Sequence, residues 1–328
     1  MTDKRKRKAE ISSAEFKRQT EALGTWLSAN GYSGMSIAVL GENSYEWLLS
    51  FFALTGGNNT AVTLDKELSP DKLAELLTDS GSKALICSET YSDIGEALSK
   101  KLGITVISMA DIPDHIKEGE KLIAEGDLSY VNYTGYENSE VIVFSSGTTG
   151  KNKGVRLTSG SIALDAASAA RNNDYSGNTL LVLPLHHSYG LVAGILITLM
   201  WGGSVYINSS LRYLNDDLKL FTPRVLYLVP LFVETFYKGI WKAAAASGKT
   251  EAMKSGISVC NEKDLSLVER RKIFSEVMDF FGGKIELLIC GGAPLRQEYI
   301  DRFRDFGLKV MNGYGITECS PIVTSPPA

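Results

Sequence analysis

Residues 140–157 read EVIVFSSGTTGKNKGVRL. The run Val141, Ile142, Val143 and Phe144 is short, β-branched and aromatic, so it predicts a buried strand that stops where small polar residues begin. A surface turn accounts for one or two glycines. It does not account for Gly147, Gly150 and Gly154 interleaved with Ser145, Ser146, Thr148 and Thr149 and accompanied by Lys151, Lys153 and Arg156. Glycines let backbone N–H groups converge, hydroxyls add donors and cations add charge, which together suit a polyphosphate. Composition alone leaves phosphate binding and a solvated turn level. VRLT after Gly154 predicts a second strand, so the loop sits at a hairpin tip. A P-loop, which runs straight into a helix, is therefore excluded. A dinucleotide fingerprint fails as well, because Gly313-Tyr314-Gly315-Ile316-Thr317-Glu318 carries a carboxylate where the third glycine belongs.

The 328 residues suffice for about two domains. A net charge of −4 argues against nucleic acid as a partner, since a phosphate backbone demands a basic face. Residues 1–12 form a basic, solvated tail, and no apolar run follows it as a secretory signal requires. Cys87, Cys260, Cys290 and Cys319 lie far apart with no C-x-x-C pair, which suggests neither zinc nor a disulfide framework and points to a reducing, cytoplasmic compartment. The stretch from Thr179 to Leu211 has no Asp, Glu or Lys. Pro184, two histidines and the Gly202–Gly203 pair divide it into strand, short helix (about Tyr189 to Trp201) and strand, an α/β core rather than a membrane span.

Elements alternate along the chain. A helix over about 14–29 precedes the strand MSIAVL, a helix begins near Ser44, TAVTLD is extended, a helix covers Pro70 to Thr78, and KALICS and ITVIS are strands. After residue 158 come a helix from about Ser161, the strand LLVLP, the helix after Tyr189, SVYIN, RVLYLVP, helices from about Leu231 and over Leu267 to Phe281, then IELLICGG, a helix near Gln297 to Phe306, and LKVMNGYG. AAAASGKTEAMKSG has little pattern and is expected to be a helix end with an exposed loop. Apolar rather than alternating strands predict two layered, largely parallel α/β subdomains, 13–140 and 159–328, flanking the hairpin at 141–158. Ligands of such folds sit at the carboxyl ends of strands.

FSSGTTGKNKGV resembles the phosphate-loop signature of the adenylate-forming superfamily, which comprises acyl-CoA synthetases, luciferases and peptide-synthetase adenylation domains. Ser145 replaces the usual threonine and Asn152 the usual proline, which should make the tip less stiff. LPLHHSYG is similar to that family's acid-pocket segment, CGGAPL to its adenine-pocket turn and NGYGITECSP to the segment that closes on the nucleotide. Residues from Gly41 to Ile86 resemble the long-chain fatty acid–CoA ligase branch. A serine hydrolase of the amidase kind, using Ser145 or Ser146, is the alternative from another class; the chain has no G-x-S-x-G elbow. An acyl-adenylate ligase serving a carrier protein is another, and a bare nucleotide-binding module a third.

The resemblance implies ATP-dependent activation of a carboxylic acid, with a long-chain fatty acid as the leading expectation, to an acyl-adenylate and then to acyl-CoA. ATP, Mg²⁺ and coenzyme A are the implied cofactors. Ser145, Ser146, Gly147, Thr148, Thr149 and Gly150 would wrap the phosphates and Lys153 would add charge, while Lys151 falls at a variable position. Thr317 would contact the α-phosphate and Glu318 would hold the metal; otherwise the pair is an ordinary helix start with an acidic first turn. Tyr314, between Asn312, Gly313 and Gly315, would stack on adenine, opposite Gly291, Gly292, Ala293 and Pro294. His187 would line the acyl tunnel, with His186 pointing elsewhere because neighbours in an extended segment face opposite ways. Tunnel candidates are Tyr189, Leu191, Tyr227, Pro230 and Phe232, each equally suited to a core. Members of the superfamily continue into a barrel portion and a mobile C-terminal domain. The chain is therefore expected to be an N-terminal portion, unable to complete catalysis and touching membranes at most peripherally.

Overall fold

The computed structural model describes residues 10–135, 139–146, 152–172, 176–208 and 210–325. Two units are distinguished: Met1–Ala163 with Pro184–His187, and Leu164–Leu183 with Ser188–Ala328.

In the first unit, α1 (Ser13–Ala29), β1 (Ser36–Leu40), α2 (Tyr45–Thr55), β2 (Thr60–Thr63), α3 (Pro70–Asp79), β3 (Ala84–Cys87), α4 (Ser92–Leu102), β4 (Thr105–Ser108), α5 (Ile112–Ala124), β5 (Glu140–Ser146) and β6 (Asn152–Thr158) follow in order. Serines start the first three helices: the side chains of Ser12, Ser44 and Ser69 accept from Glu15, Trp47 and Lys72 N–H, satisfying donors that an uncapped helix leaves open. The sheet runs β4-β3-β1-β2-β5-β6, parallel except for the final antiparallel pair. Its strands are apolar on both faces because helices cover both. Ala38, Leu40, Val62, Leu85 and Cys87 meet Leu73, Ala74, Leu76 and Leu77 of α3 and Leu98 of α4 in one dry cluster.

The helix α6 (Ser159–Asn172) carries the chain into the second unit, where β7 (Thr179–Leu181), α7 (Thr198–Met200), β8 (Val205–Ile207), α8 (Leu214–Phe221), β9 (Val225–Leu228), α9 (Pro230–Ala246), α10 (Thr250–Glu262), α11 (Leu267–Ile273), α12 (Ser275–Phe280), β10 (Leu287–Cys290), α13 (Gln297–Asp305), β11 (Lys309–Asn312), β12 (Tyr314–Gly315) and β13 (Ile322–Thr324) follow. Five strands form a parallel sheet in the order β11-β10-β9-β7-β8, and β12 and β13 form a small antiparallel ribbon. Two parallel layered sheets are what the alternation predicts. Among the described residues no helix is long and apolar enough to cross a membrane.

Three local differences have physical causes. Gly190–Ile197, expected as an α-helix, winds with the wider π pitch before continuing into α7; seven of its residues are buried, so packing sets the winding. The helix expected over 267–281 breaks at Phe274, which leaves helical geometry (φ −99°, ψ 39°) with its ring buried against Phe306. The stretch expected as a loop after α9 is the helix α10: Gly248 (φ 71°) ends α9, and only Cys260 of α10 is fully buried, which is why no apolar stripe is visible.

Candidate functional site

The residues singled out from the sequence fall into both units, and each set is built differently. In the first unit β5 and β6 form the expected hairpin, pairing Phe144 with Gly154, Ser145 with Lys153 and Ser146 with Asn152. Its tip, including Gly147, Thr148, Thr149 and Gly150, lies outside the described residues. A Cβ on Gly154 would come within 3.1 Å of the Phe144 ring and 3.2 Å of Ile142, so the glycine lets these side chains lie flat on the hairpin. Lys153 is exposed. Arg156 pairs with Glu140 across the base of the hairpin, so its charge is engaged there.

Pro184–His187 belong to the same unit, and they form a turn rather than an extended segment: His187 N–H donates to Pro184 C=O at 3.3 Å. Strand alternation therefore does not set the direction of His186. Instead, Leu185 N–H donates to Asn43 Oδ1 at 2.9 Å, and Thr63 Oγ1 donates to His186 C=O at 2.9 Å. Thr63 is the last residue of β2, and Asn43 stands in the loop after β1. The turn is thus fastened to the carboxyl ends of two parallel strands. His186 Nε2 is 3.6 Å from Asp65 Oδ1. Desolvation lowers the pKa of both imidazoles. For His186 the carboxylate of Asp65 opposes the shift, whereas His187 and Lys66 reinforce it. Both rings are therefore biased toward the neutral form, although His187 presents an exposed residue surface.

In the second unit, Cys290 at the end of β10 pairs in register with Asn312 at the end of β11, and Gly313 N–H donates to Cys290 C=O at 2.8 Å. This brings Gly291–Pro294 and Asn312–Gly315 side by side at the carboxyl ends of neighbouring strands, where such sheets bind ligands. The two glycines of the first turn have separate reasons. Gly292 has φ 78°, a left-handed conformation costly for other residues. A Cβ on Gly291 would approach the Tyr189 ring to 3.0 Å, and the Tyr189 hydroxyl donates to Ile289 C=O at 3.0 Å. Tyr189, a candidate for the acyl tunnel or the core, buttresses this turn from behind. Leu191 and Tyr227 are core residues, 1% and 3% exposed; Pro230 and Phe232 are half-buried.

Gly292, Ala293 and Pro294 are exposed, and so is Tyr314, at 60%. An aromatic ring held in the open between two glycines offers a flat face to a planar ligand. Beside it, Asn312 Oδ1 is buried with no hydrogen-bond partner among the described residues, a cost of about 1–3 kcal/mol unless a ligand donor completes it. These two features fit an adenine ring, whose exocyclic amine donates and whose face stacks. The chain then turns through Thr317, which is buried, and Glu318, which is exposed. Among the described residues no three His, Cys, Asp or Glu side chains gather to form a metal cage. A Mg²⁺ ion bound through one carboxylate and substrate phosphates needs no such cage, so Glu318 suits it.

Sequence reading did not find Asp165, on α6, whose Oδ2 accepts from Ile322 N–H at 2.9 Å. Nor did it find Asn43 and Thr63. All three reach backbone groups distant in the sequence, which leaves no local pattern.

The model of the AMP-binding enzyme family matches residues 2–328. The chain is 26% identical over 333 residues to the peroxisomal long chain acyl-CoA synthetase 6 of Arabidopsis thaliana, covering 92% of this chain and 47% of that protein. It is 28% identical over 354 residues to long-chain-fatty-acid–CoA ligase 5 of Rattus norvegicus, covering 96% and 52%. The chain spans about half the length of these curated relatives. Among solved structures, the N-terminal domain of FACL13 from Mycobacterium tuberculosis superposes with a TM-score of 0.71 at 20% identity, over 94% of this chain and 69% of that one, a likeness of fold. With strand-end turns of this kind and a family match from end to end, the chain belongs to the AMP-binding enzymes.

Proposed function

We propose that the chain supplies the nucleotide-binding portion of an acid–thiol ligase that activates a carboxylic acid, a long-chain fatty acid first among them, with ATP and passes the acyl group to coenzyme A. The observation that carries the nucleotide assignment is the paired turn at Cys290 and Asn312, with an unfilled acceptor and an open tyrosine ring at its edge. The names of the curated relatives support the acid and the thiol.

Asn312 accepts from the adenine amine and Tyr314 stacks on the ring. Ser145 to Gly150 and Lys153 bind the polyphosphate, Thr317 meets the α-phosphate, and Glu318 holds Mg²⁺, which when bound neutralises charge on the leaving pyrophosphate. His187, biased toward its neutral form, lines the acid's path and adds no competing charge beside a carboxylate. Coenzyme A is the acceptor. A reducing compartment such as the cytoplasm suits four cysteines that are all free. An amidase-like use of Ser146 is not favoured by the family to which the chain belongs.

Calorimetry with ATP and MgCl₂ tests this reading. Saturable binding is expected, weakened about tenfold or more by Lys153→Ala and by Glu318→Ala, since hydrogen bonds to charged groups contribute roughly 1.5–3 kcal/mol. Equal affinity in both variants refutes the roles given to these side chains. Turnover of an ester or amide without ATP, lost in Ser146→Ala, restores the hydrolase.

A further inference from the structure

The ribbon that carries the nucleotide turn is fastened at two places. At its start, Gly313 N–H donates to Cys290 C=O, joining it to the end of β10. At its end, Ile322 N–H donates to Asp165 Oδ2, a contact spanning 157 residues of sequence. Between these points the segment folds on itself. Gly315 pairs with Ile322, Ile316 N–H donates to Pro321 C=O at 2.9 Å, and Ser320 N–H donates to Thr317 C=O at 3.1 Å. Ser320 sits at φ 77°, a left-handed conformation that a non-glycine residue holds only when its surroundings impose it.

Loss of the Gly313 clamp should loosen the turn from the sheet, and loss of the Asp165 clamp should leave β13 held by its pairing with β12 alone and let it shift against α6. Tyr314, Thr317 and Glu318 all lie between the clamps. The acceptor of the second clamp is a half-buried carboxylate on α6, whose pKa desolvation raises against the hydrogen bond from Ile322 N–H.

We propose that Asp165 is a positioning residue of the nucleotide site: by holding Ile322 N–H it sets the ribbon so that Tyr314 and the Thr317–Glu318 turn stand ready for ATP. The proposal rests on the reading of that turn given above.

Asp165→Ala and Asp165→Asn separate positioning from bulk structure. Asparagine keeps an acceptor for Ile322 N–H and drops the charge; alanine drops both. In Asp165→Ala the Ile322 amide should exchange hydrogen at least tenfold faster, with β9 and β10 unchanged, and ATP affinity measured with MgCl₂ should fall about tenfold. Asp165→Asn should bind ATP within about threefold of wild type and melt no lower than it at pH 7. Wild-type ATP affinity in Asp165→Ala, or equal losses in both variants, overturns the proposal. Should Asp165→Ala fail to fold, faster Ile322 exchange or a tenfold loss of ATP affinity in Asp165→Asn overturns it in its place. If wild type binds no ATP, the nucleotide reading fails, and the positioning role fails with it. Ile322 exchange then shows separately whether the clamp itself is real.

Discussion

The turn at Pro184–His187 and the turn at Asn312–Gly315 both leave the carboxyl ends of parallel strands, yet they treat polar atoms in opposite ways. In the first, Asn43 and Thr63 take up backbone groups, and Asp65 faces His186. The second leaves Asn312 Oδ1 without a partner among the described residues and Tyr314 uncovered. A buried acceptor with no donor is a cost that folding alone gives no reason to keep. The contrast separates a turn that the protein completes by itself from one that a ligand completes.

The largest expected effect tests how tightly the open turn is built. A Cβ on Gly315 would lie 2.3 Å from Pro321 O, a backbone atom that cannot swing away. Gly315→Ala should therefore shift the ribbon at a cost of about 1–3 kcal/mol, seen as roughly a ten- to hundredfold loss in ATP affinity with the strands of the five-stranded sheet still protected from exchange. Unchanged binding would mean that the ribbon is slack and the turn not pre-formed.

Next comes a pair of substitutions with opposite signs. Asn43→Leu removes the acceptor of Leu185 N–H and should destabilise the chain by about 1–3 kcal/mol in urea unfolding. Asn312→Leu removes an acceptor that no described residue satisfies and should leave stability unchanged or raise it by about 1 kcal/mol, while weakening ATP binding and narrowing any preference for ATP over GTP. If both destabilise alike, the two turns are equivalent and the contrast falls.

The smallest effect is with pH. His115, His186 and His187 all belong to the first unit, and burial lowers the pKa of each. The folded chain therefore binds these protons more weakly than the unfolded chain, whose histidines titrate near about 6.5. Stability should fall as pH drops through that value, with peptides of the first unit losing hydrogen-exchange protection first. Asp165 has the opposite sign: its raised pKa favours the protonated fold, so acid does not weaken that residue's contribution to the second unit. His186→Gln should flatten the dependence in the first unit. A uniform loss across both units would contradict the assignment.

Much of this was legible from sequence where the signal is local. Apolar runs gave the strands because burial on both faces of a parallel sheet demands them, and the helix starts placed near Ser44 and at Pro70 are the ones that Ser44 and Ser69 cap. The turns at Gly291 and Asn312 were visible as glycine clusters after strands. Hidden were features set by distant partners. The contact of the Tyr189 hydroxyl with Ile289 C=O, 100 positions away, has no sequence signature. Asp165 is one acidic residue among many on helices, distinguished only by an amide 157 positions away. The break at Phe274 depends on Phe306, and α10 is hidden because it buries so little.

The central claim is that the paired turns at the ends of β10 and β11 hold an adenine nucleotide. Photolabelling of the chain with 2-azido-ATP, followed by peptide mapping, tests it directly. The account predicts label within residues 309–325 or at the Gly291–Pro294 turn, suppressed by excess ATP and reduced in Asn312→Leu. Label confined to other peptides, or labelling that excess ATP does not displace, would contradict it.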